Sequence, residues 1–229
     1  IDISAMALQP DPNNPGISDL VWGGTQGVDA VFFLSTGPTQ LLVFQQFLNS
    51  TPANLLNFFS GFSGRVLAYG QASADAIIAE FFTNQTEIYG AGGDDVLVGG
   101  FSDDLIDGGL GNDLILGGTR PGDGNDTLVG GEGRDILLGH IGTDRLFGGL
   151  GEDLLLTGGV VFDDLPSSLF AIQAEWLSGR DYATRVANLS GTGVGPRLNG
   201  DVFLTPGVTA FGDPGVDQLT GDEDLDWLL

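Results

Sequence analysis

Apolar and polar positions between Gly90 and Leu156 repeat with a period of nine residues. Seven consecutive units each have Gly at the first position, Asp at the sixth and Leu or Ile at the eighth, and one unit carries four additional residues at about Thr119 to Asp123. Positions seven to nine predict a short strand, and alternation along a strand turns the eighth side chain to the interior. These predicted core residues are Leu97, Ile106, Ile115, Leu128, Leu137, Leu146 and Leu155.

Glycines at the first, second and fourth positions predict a turn before each strand. Glycine adopts positive φ without steric cost, so such a turn can direct its carbonyl groups toward a common point. Two units of nine residues make one coil, and alternate units then stack at the strand spacing of about 4.8 Å. We therefore expect an all-β solenoid.

The sixth-position aspartates stack in two columns in such a solenoid. Their mutual repulsion requires a counter-charge, and a hard cation held by carboxylate and carbonyl oxygens supplies it; Ca²⁺ accepts six to eight such ligands. One column holds Asp95, Asp113, Asp135 and Asp153 and is begun by Asp75, and the other holds Asp104, Asp126 and Asp144.

The pattern GGxGxDxUx over Gly90 to Leu156 resembles the RTX repeats, the hemolysin-type calcium-binding nonapeptides of secreted bacterial proteins. The resemblance implies a parallel β-roll with calcium-bound turns, and about five Ca²⁺ ions in the regular core. Each ion is expected between stacked turns, bound by sixth-position aspartates and turn carbonyls. The expected main-chain ligands are Gly90, Gly92, Gly99, Phe101, Gly108, Leu110, Gly111, Gly130, Glu132, Gly133, Gly148, Leu150 and Gly151.

The rest of the chain divides into two further regions. Degenerate units begin at Gly24, Gly70, Gly212 and Gly221. Residues 1–89 are expected to form an irregular solenoid that caps the roll of residues 90–159, and residues 160–229 a helical insert followed by degenerate repeats. Short apolar runs predict strands over Leu20–Trp22, Ala30–Leu34, Leu41–Phe44 and Arg65–Tyr69.

Two amphipathic helices are predicted between residues 163 and 190. Asp163 or Asp164 together with Pro166 predicts the start of the first helix, and Gly179 predicts its end. Asp181 is the expected cap of the second helix. The segment resembles the helical insert of some large bacterial RTX-like surface proteins. The apolar faces are Leu169, Ile172, Trp176 and Leu177 on the first helix, and Tyr182, Val186 and Leu189 on the second.

One outer face of the predicted roll is entirely apolar. Positions seven and nine of alternate units point outward, and eight aliphatic residues there cannot remain in water on so charged a chain. Either the helical insert covers this face, or a neighbouring subunit does and makes the protein a building block of a fibre or layer. The eight residues are Val96, Val98, Leu114, Leu116, Ile136, Leu138, Leu154 and Leu156.

Composition excludes several function classes. The chain carries 31 acidic and 7 basic residues, a net charge of −24, which argues against nucleic acid and anionic membranes. Its 41% hydrophobic content argues against disorder. There is no Cys and a single His, His140, so thiolate metal sites and zinc-protease motifs are excluded. The nearest match to a GxSxG nucleophile motif, around Ser63, lacks the final Gly, so we predict no enzyme activity.

Two function classes remain. The first is a calcium-binding structural or adhesive module of a secreted or cell-surface bacterial protein, which folds on extracellular Ca²⁺ and meets a surface glycan or matrix. The second is the C-terminal secretion and folding appendage of an RTX exoenzyme with its catalytic domain upstream. Because Ile1 opens no signal-peptide pattern, we expect a piece of a longer protein. Residues 226–229 resemble a terminal export motif, or equally a shortened repeat.

Overall fold

The computed structural model describes residues 7–11, 13–23, 29–37, 40–47, 54–60, 64–119, 124–161, 166–212 and 214–229. Two sheets face each other, and each coil of the chain contributes one strand to each sheet. The first sheet contains β1 (Ala7–Asp11), β2 (Asn14–Gly23), β6 (Val66–Ala72), β8 (Thr86–Gly92), β10 (Leu105–Leu110), β12 (Thr127–Glu132), β14 (Arg145–Leu150) and β16 (Gln218–Glu223) in that spatial order.

The second sheet contains the other strand of each coil. From the last coil to the first, its order is β17 (Trp227–Leu228), β15 (Leu154–Leu156), β13 (Ile136–Leu138), β11 (Leu114–Leu116), β9 (Val96–Val98), β7 (Ala76–Phe81), β3 (Asp29–Gly37), β4 (Gln40–Phe47) and β5 (Asn54–Ser60). Strands pair in parallel except where β1 meets β2 and where β3, β4 and β5 form an antiparallel meander. The structure is therefore the expected parallel β-roll, begun by antiparallel strands.

The nine-residue period sets the register of the roll. Ile106 of β10 pairs with Leu128 of β12, and Ile115 of β11 pairs with Leu137 of β13, so alternate units stack as predicted. Strand β8 crosses the predicted boundary at residue 90 without a break and pairs with both β6 and β10. The coils before and after that boundary consequently share the same two sheets.

The core lies between the two sheets. All seven predicted eighth-position residues are fully buried there, because the alternation of the strands directs them inward. Toward the start of the chain the same core continues through Trp22, Val31, Ala68 and Ile88. The four short apolar runs predicted before residue 70 fall in or overlap strands β2, β3, β4 and β6.

Two helices separate the seventh unit from the last coil. Helix α1 (Pro166–Trp176) begins at the predicted proline, whereas Asp163 and Asp164 lie outside the described residues. Helix α2 (Tyr182–Leu189) is capped as predicted, since the Asp181 carboxylate accepts a hydrogen bond from the amide of Thr184 at 2.9 Å. Within the described ranges, no helix is long and apolar enough to cross a membrane.

The insert covers the apolar face of the second sheet. Seven of the eight outward aliphatic residues are buried and Val96 is half-buried, packed with Leu169, Ile172, Trp176 and Leu189 of the helices. The intramolecular alternative is thus confirmed for this face. Because the helices occupy this apolar surface, burial of these residues does not require a neighbouring subunit, and assembly into a fibre or layer stays a prediction.

Candidate metal centre

The sixth-position aspartates of the first column form a continuous hydrogen-bonded ladder. The amide of Asp95 donates to Oδ1 of Asp113 at 2.8 Å, that of Asp113 to Asp135 at 2.8 Å, and that of Asp135 to Asp153 at 2.9 Å. Asp75 begins the ladder as expected, because its amide donates to Oδ1 of Asp95 at 2.7 Å. Each carboxylate therefore uses one oxygen to accept a hydrogen bond from a backbone amide of the preceding coil.

A second ladder follows the other column. The amide of Asp104 donates to Oδ1 of Asp126 and that of Asp126 to Oδ1 of Asp144, both at 2.8 Å. The four additional residues of this unit leave Asp126 in register. At the head of the ladder, the amide of Thr86 donates to Asp104 at 2.6 Å, so a threonine occupies the place of an aspartate there.

Four carboxylates of the first column have a second oxygen with no hydrogen-bond partner among the described residues. Asp95, Asp113, Asp135 and Asp153 are completely buried, and their Oδ2 atoms have no hydrogen bond within the described part of the chain. A buried carboxylate oxygen is costly unless it is hydrogen-bonded or coordinates a metal. Asp104 differs, since its Oδ2 accepts the amide of Gly100 at 2.6 Å.

The first-position glycines leave room beside these oxygens. A Cβ on Gly70 would lie 2.8 Å from Oδ2 of Asp75 and 2.8 Å from the carbonyl oxygen of Gly90 in the next coil. The same pair of oxygens, the unit's own carboxylate and the next first-position carbonyl, surrounds that point at Gly90, Gly108 and Gly130. Gly148 meets its own Asp153 in the same way. The missing side chain thus creates a cradle of carboxylate and carbonyl oxygens.

The other predicted main-chain ligands lie further along the turns. The carbonyls of Leu110, Glu132 and Leu150 each accept a hydrogen bond of 2.8 Å from a fourth-position amide of the preceding coil, which leaves one lone pair per carbonyl. The donors are Gly93, Gly111 and Gly133. Gly111, Gly133 and Gly151 have φ near +130° to +143°, as the turn requires. Gly92 pairs with Leu110 across β8 and β10, and the amides of Gly99 and Phe101 bond to Leu116 and Phe82.

Burial of the ladders perturbs their acidity. Loss of hydration, followed by repulsion from neighbouring carboxylates, raises the pKa of Asp113 to about 7, of Asp135 to about 8 and of Asp153 to about 7. Burial likewise raises the pKa of Asp95 and of Asp104 to about 6. Without a cation, the folded first column therefore retains protons near neutral pH.

These donors fit a hard divalent cation. Within the described ranges no three Asp, Glu or His side chains converge on one point, so an ion in a column must take many of its ligands from the main chain. Carboxylate and carbonyl oxygens from stacked turns are the donors that Ca²⁺ prefers. The cradles beside Gly90, Gly108 and Gly130 provide both kinds.

The structure adds residues that were not in the predicted ligand set. Oδ1 of Asp217 accepts the amide of Asp144, and Oδ1 of Asp226 accepts that of Asp153, both at 2.9 Å, so each column continues past the helices. Gly117 and Gly139 form the same cradles as Gly90. Both glycines occupy the first position of their repeat unit, and that position is the sequence signal that could have identified them. Asp29 matches Asp75 in register, but its side chain lies outside the described part.

Comparison with known families agrees with this geometry. Residues 89–119 and 121–155 match the model of the RTX calcium-binding nonapeptide repeat, in four copies. No curated protein and no solved structure matches the chain. Over residues 89–155 the chain is therefore made of RTX calcium-binding repeats, folded as a β-roll.

Proposed function

We propose that this chain is a calcium-folded structural module of a secreted or cell-surface bacterial protein, without a catalytic role of its own. The observation that carries the proposal is the pair of aspartate ladders, each buried and each aligned with carbonyl oxygens of the next coil. The matching family, a calcium-binding repeat, is a structural type of domain.

Each position of the repeat would supply one particular ligand atom to the ion. The sixth-position Asp offers Oδ2, the first-position glycine of the next coil offers its carbonyl, and the carbonyls at positions three and four complete the turn. When bound, Ca²⁺ neutralises the buried carboxylates and is held by six to eight oxygens. Extracellular modules of this kind have dissociation constants of about 10⁻⁴–10⁻³ M, which suits folding outside the cell.

The adhesive part of the proposal rests on the face that the helices leave open. On the outer side of the first sheet the rings of Tyr69 and Tyr89 stack at 5.1 Å, beside a groove of about 590 Å³ that Gln9, Val21 and Leu67 help to line. Aromatic rings with a polar tip are common at such interfaces. A surface glycan or matrix is our proposed partner, and the secretion appendage stays a prediction.

Circular dichroism with and without a chelator tests the proposal. We expect residues 90–156 to lose most of their β-structure in chelator at pH 8, because ionised Asp columns repel one another, and to regain it in millimolar Ca²⁺. Mg²⁺ at the same concentration is the control, since it demands a smaller, regular octahedron. A full β-spectrum in chelator at pH 8 would refute the proposal.

A further inference from the structure

The last step of the first column joins residues on opposite sides of the helical insert. The amide of Asp153 donates to Oδ1 of Asp226 across a separation of 73 residues. Between them the chain leaves the sheets after Leu156, forms α1 and α2, and re-enters the first sheet with β16 at Gln218. The strand pairs β14 with β16 and β15 with β17 then resume the stacking.

This step shares the carboxylate part of the cation cradles in the regular core, since the first-position glycines Gly148 and Gly221 each lie against the carboxylate of their own unit. Oδ2 of Asp153 is completely buried and has no hydrogen bond within the described ranges, and Oδ2 of Asp226 lies beside Gly221. The final turn also keeps the left-handed backbone, with Asp222 at φ 69° and Asp224 at φ 74° where the preceding coil has Gly149 and Gly151. The carboxylates of Asp222 and Asp224 repel those of Asp153 and Asp226, so this turn is strongly acidic.

The helical insert contacts the same turn directly. The Tyr182 hydroxyl of α2 donates to the carbonyl oxygen of Asp226 at 2.8 Å. The ring of Trp176 in α1 packs 6.3 Å from that of Trp227, the residue after Asp226. Beside Asp153, Glu152 pairs with the buried Arg185 of α2, whose guanidinium stacks 4.8 Å from Trp176.

We propose that a Ca²⁺ ion bound between Asp153 and Asp226 latches the helical insert onto the apolar face of the roll. This inference rests on the proposed function of the roll and extends it beyond residues 89–155. Without the ion, the acidic final turn repels Asp153 and moves away from the seventh unit. Trp227 and the carbonyl group that accepts the Tyr182 hydrogen bond then move away with this turn. The two helices consequently pack less tightly on the second sheet.

The test uses tryptophan fluorescence in a Trp22→Phe background, in which the two remaining tryptophans, Trp176 and Trp227, both lie at the latch. In a CaCl₂ titration, Asp226→Asn keeps the hydrogen-bond acceptor but removes the charge. We expect it to raise the midpoint of the fluorescence change by about tenfold, the scale on which carboxylate number tunes Ca²⁺ affinity. Asp224→Asn is the matched control, since it removes the same charge from the same turn but not from the ladder.

Far-UV dichroism recorded on the same samples separates the outcomes. If the parent's dichroism does not respond to Ca²⁺, the proposed function fails. If dichroism responds but Asp226→Asn and Asp224→Asn shift the fluorescence midpoint equally, the latch is wrong. Should Asp226→Asn not fold, Tyr182→Phe keeps every carboxylate. It must then raise the fluorescence midpoint and speed hydrogen exchange in residues 166–189 at subsaturating Ca²⁺, and unchanged values would overturn the latch.

Discussion

Each ladder aspartate divides its two oxygens between two roles. One oxygen accepts the amide of the preceding coil, and in the first column the other faces a carbonyl of the next coil. The neighbouring fifth-position residues are exposed or half-buried and bond in the reverse direction, since Oδ1 of Asp94 accepts the amide of Asn112 in the following coil at 2.8 Å. The Asp pairs in the sequence thus place one carboxylate in the column and one at the surface.

This division predicts opposite effects for two substitutions of Asp113. Asp113→Asn keeps the ladder acceptor and removes a buried charge, so in chelator at pH 8 it should stabilise the roll, by roughly 1.4 kcal/mol per unit of the raised pKa. Asp113→Ala removes both functions and should not stabilise. The pH at which β-structure is lost in chelator, followed by circular dichroism, measures both effects. Urea unfolding in Ca²⁺ should then show each variant to be less stable than the parent. Stabilisation of the calcium-bound roll by Asp113→Asn would contradict the assigned role.

The raised pKa values also predict a pH dependence for the calcium-free roll. A carboxyl whose pKa is higher in the folded state binds more protons when folded, so its stabilising effect is present at low pH and is lost as pH rises through the folded value. In chelator, stability should therefore fall between about pH 4 and pH 8. Saturating Ca²⁺ should reverse this trend, because protons compete for the same oxygens. Thermal unfolding across this range measures both slopes; equal slopes would count against metal binding in the columns.

In the units that carry the first column, turn positions two and four adopt positive φ even where they are not glycine. Ala91 has φ 75° at a position where the next coil has Gly109 at φ 101°. Ala91→Gly should therefore stabilise the roll by about 1 kcal/mol, since an L-residue is strained in this region. The reciprocal Gly109→Ala should destabilise it, because the new Cβ would lie 2.7 Å from the Ala91 carbonyl oxygen. Chemical denaturation in saturating Ca²⁺ measures both, and a neutral Gly109→Ala would show that the turn is pliable.

At the scale of elements, the two sheets differ in what covers them. The second sheet lies under α1 and α2, while the outer face of the first sheet is open. The leucines at the seventh position of a unit show the difference, since Leu114 on the second sheet is 2% exposed, whereas Leu105 on the first sheet is only half-buried. Leu114→Ala should cost about 2–5 kcal/mol, the usual range for a fully buried leucine. Leu105→Ala, the matched control, should cost clearly less. Similar losses in urea unfolding would mean that the helices do not cover the sheet in solution.

The insert is also held by buried polar groups that its apolar pattern does not reveal. Glu175 is fully buried and accepts from Asn188 at 2.7 Å, from Arg180 at 3.1 Å and from the amide of Leu198 at 2.6 Å. A buried carboxylate is tolerated when it is paired and hydrogen-bonded in this way. The network joins both helices to the segment that returns to the roll.

The sequence predicted the elements whose signals are local. The eighth-position core, the turns and both helices follow from periods of nine and 3.6 residues, and the apolar face required a cover on physical grounds. Thr86 was missed because its unit, residues 81–89, lacks both the initial Gly and the Asp. The degenerate units at Gly212 and Gly221 indicated Asp217 and Asp226 as candidates, but the sequence could not show which residue each one pairs with, because those partners lie 73 residues away.

At the scale of the whole molecule, the acidic ladders and the roll are one system. Within the described part of the chain, five hydrogen-bonded steps join Asp75 to Asp226 in the first column, and three join Asp104 to Asp217 in the second. A net charge of −24 opposes a compact state unless cations or protons reduce it. Folding of the roll and occupation of its columns should therefore be a single cooperative event.

The number of Ca²⁺ ions bound to the folded chain tests this account most directly, by native mass spectrometry in millimolar Ca²⁺. The sequence-based expectation is about five ions in the regular core, and the continued ladders raise the upper bound to about eight. We predict a cooperative distribution within that range, with few partly loaded species, that collapses to the metal-free, expanded chain in chelator. A compact chain that binds no Ca²⁺, or one or two ions without a change in charge-state distribution, would contradict it.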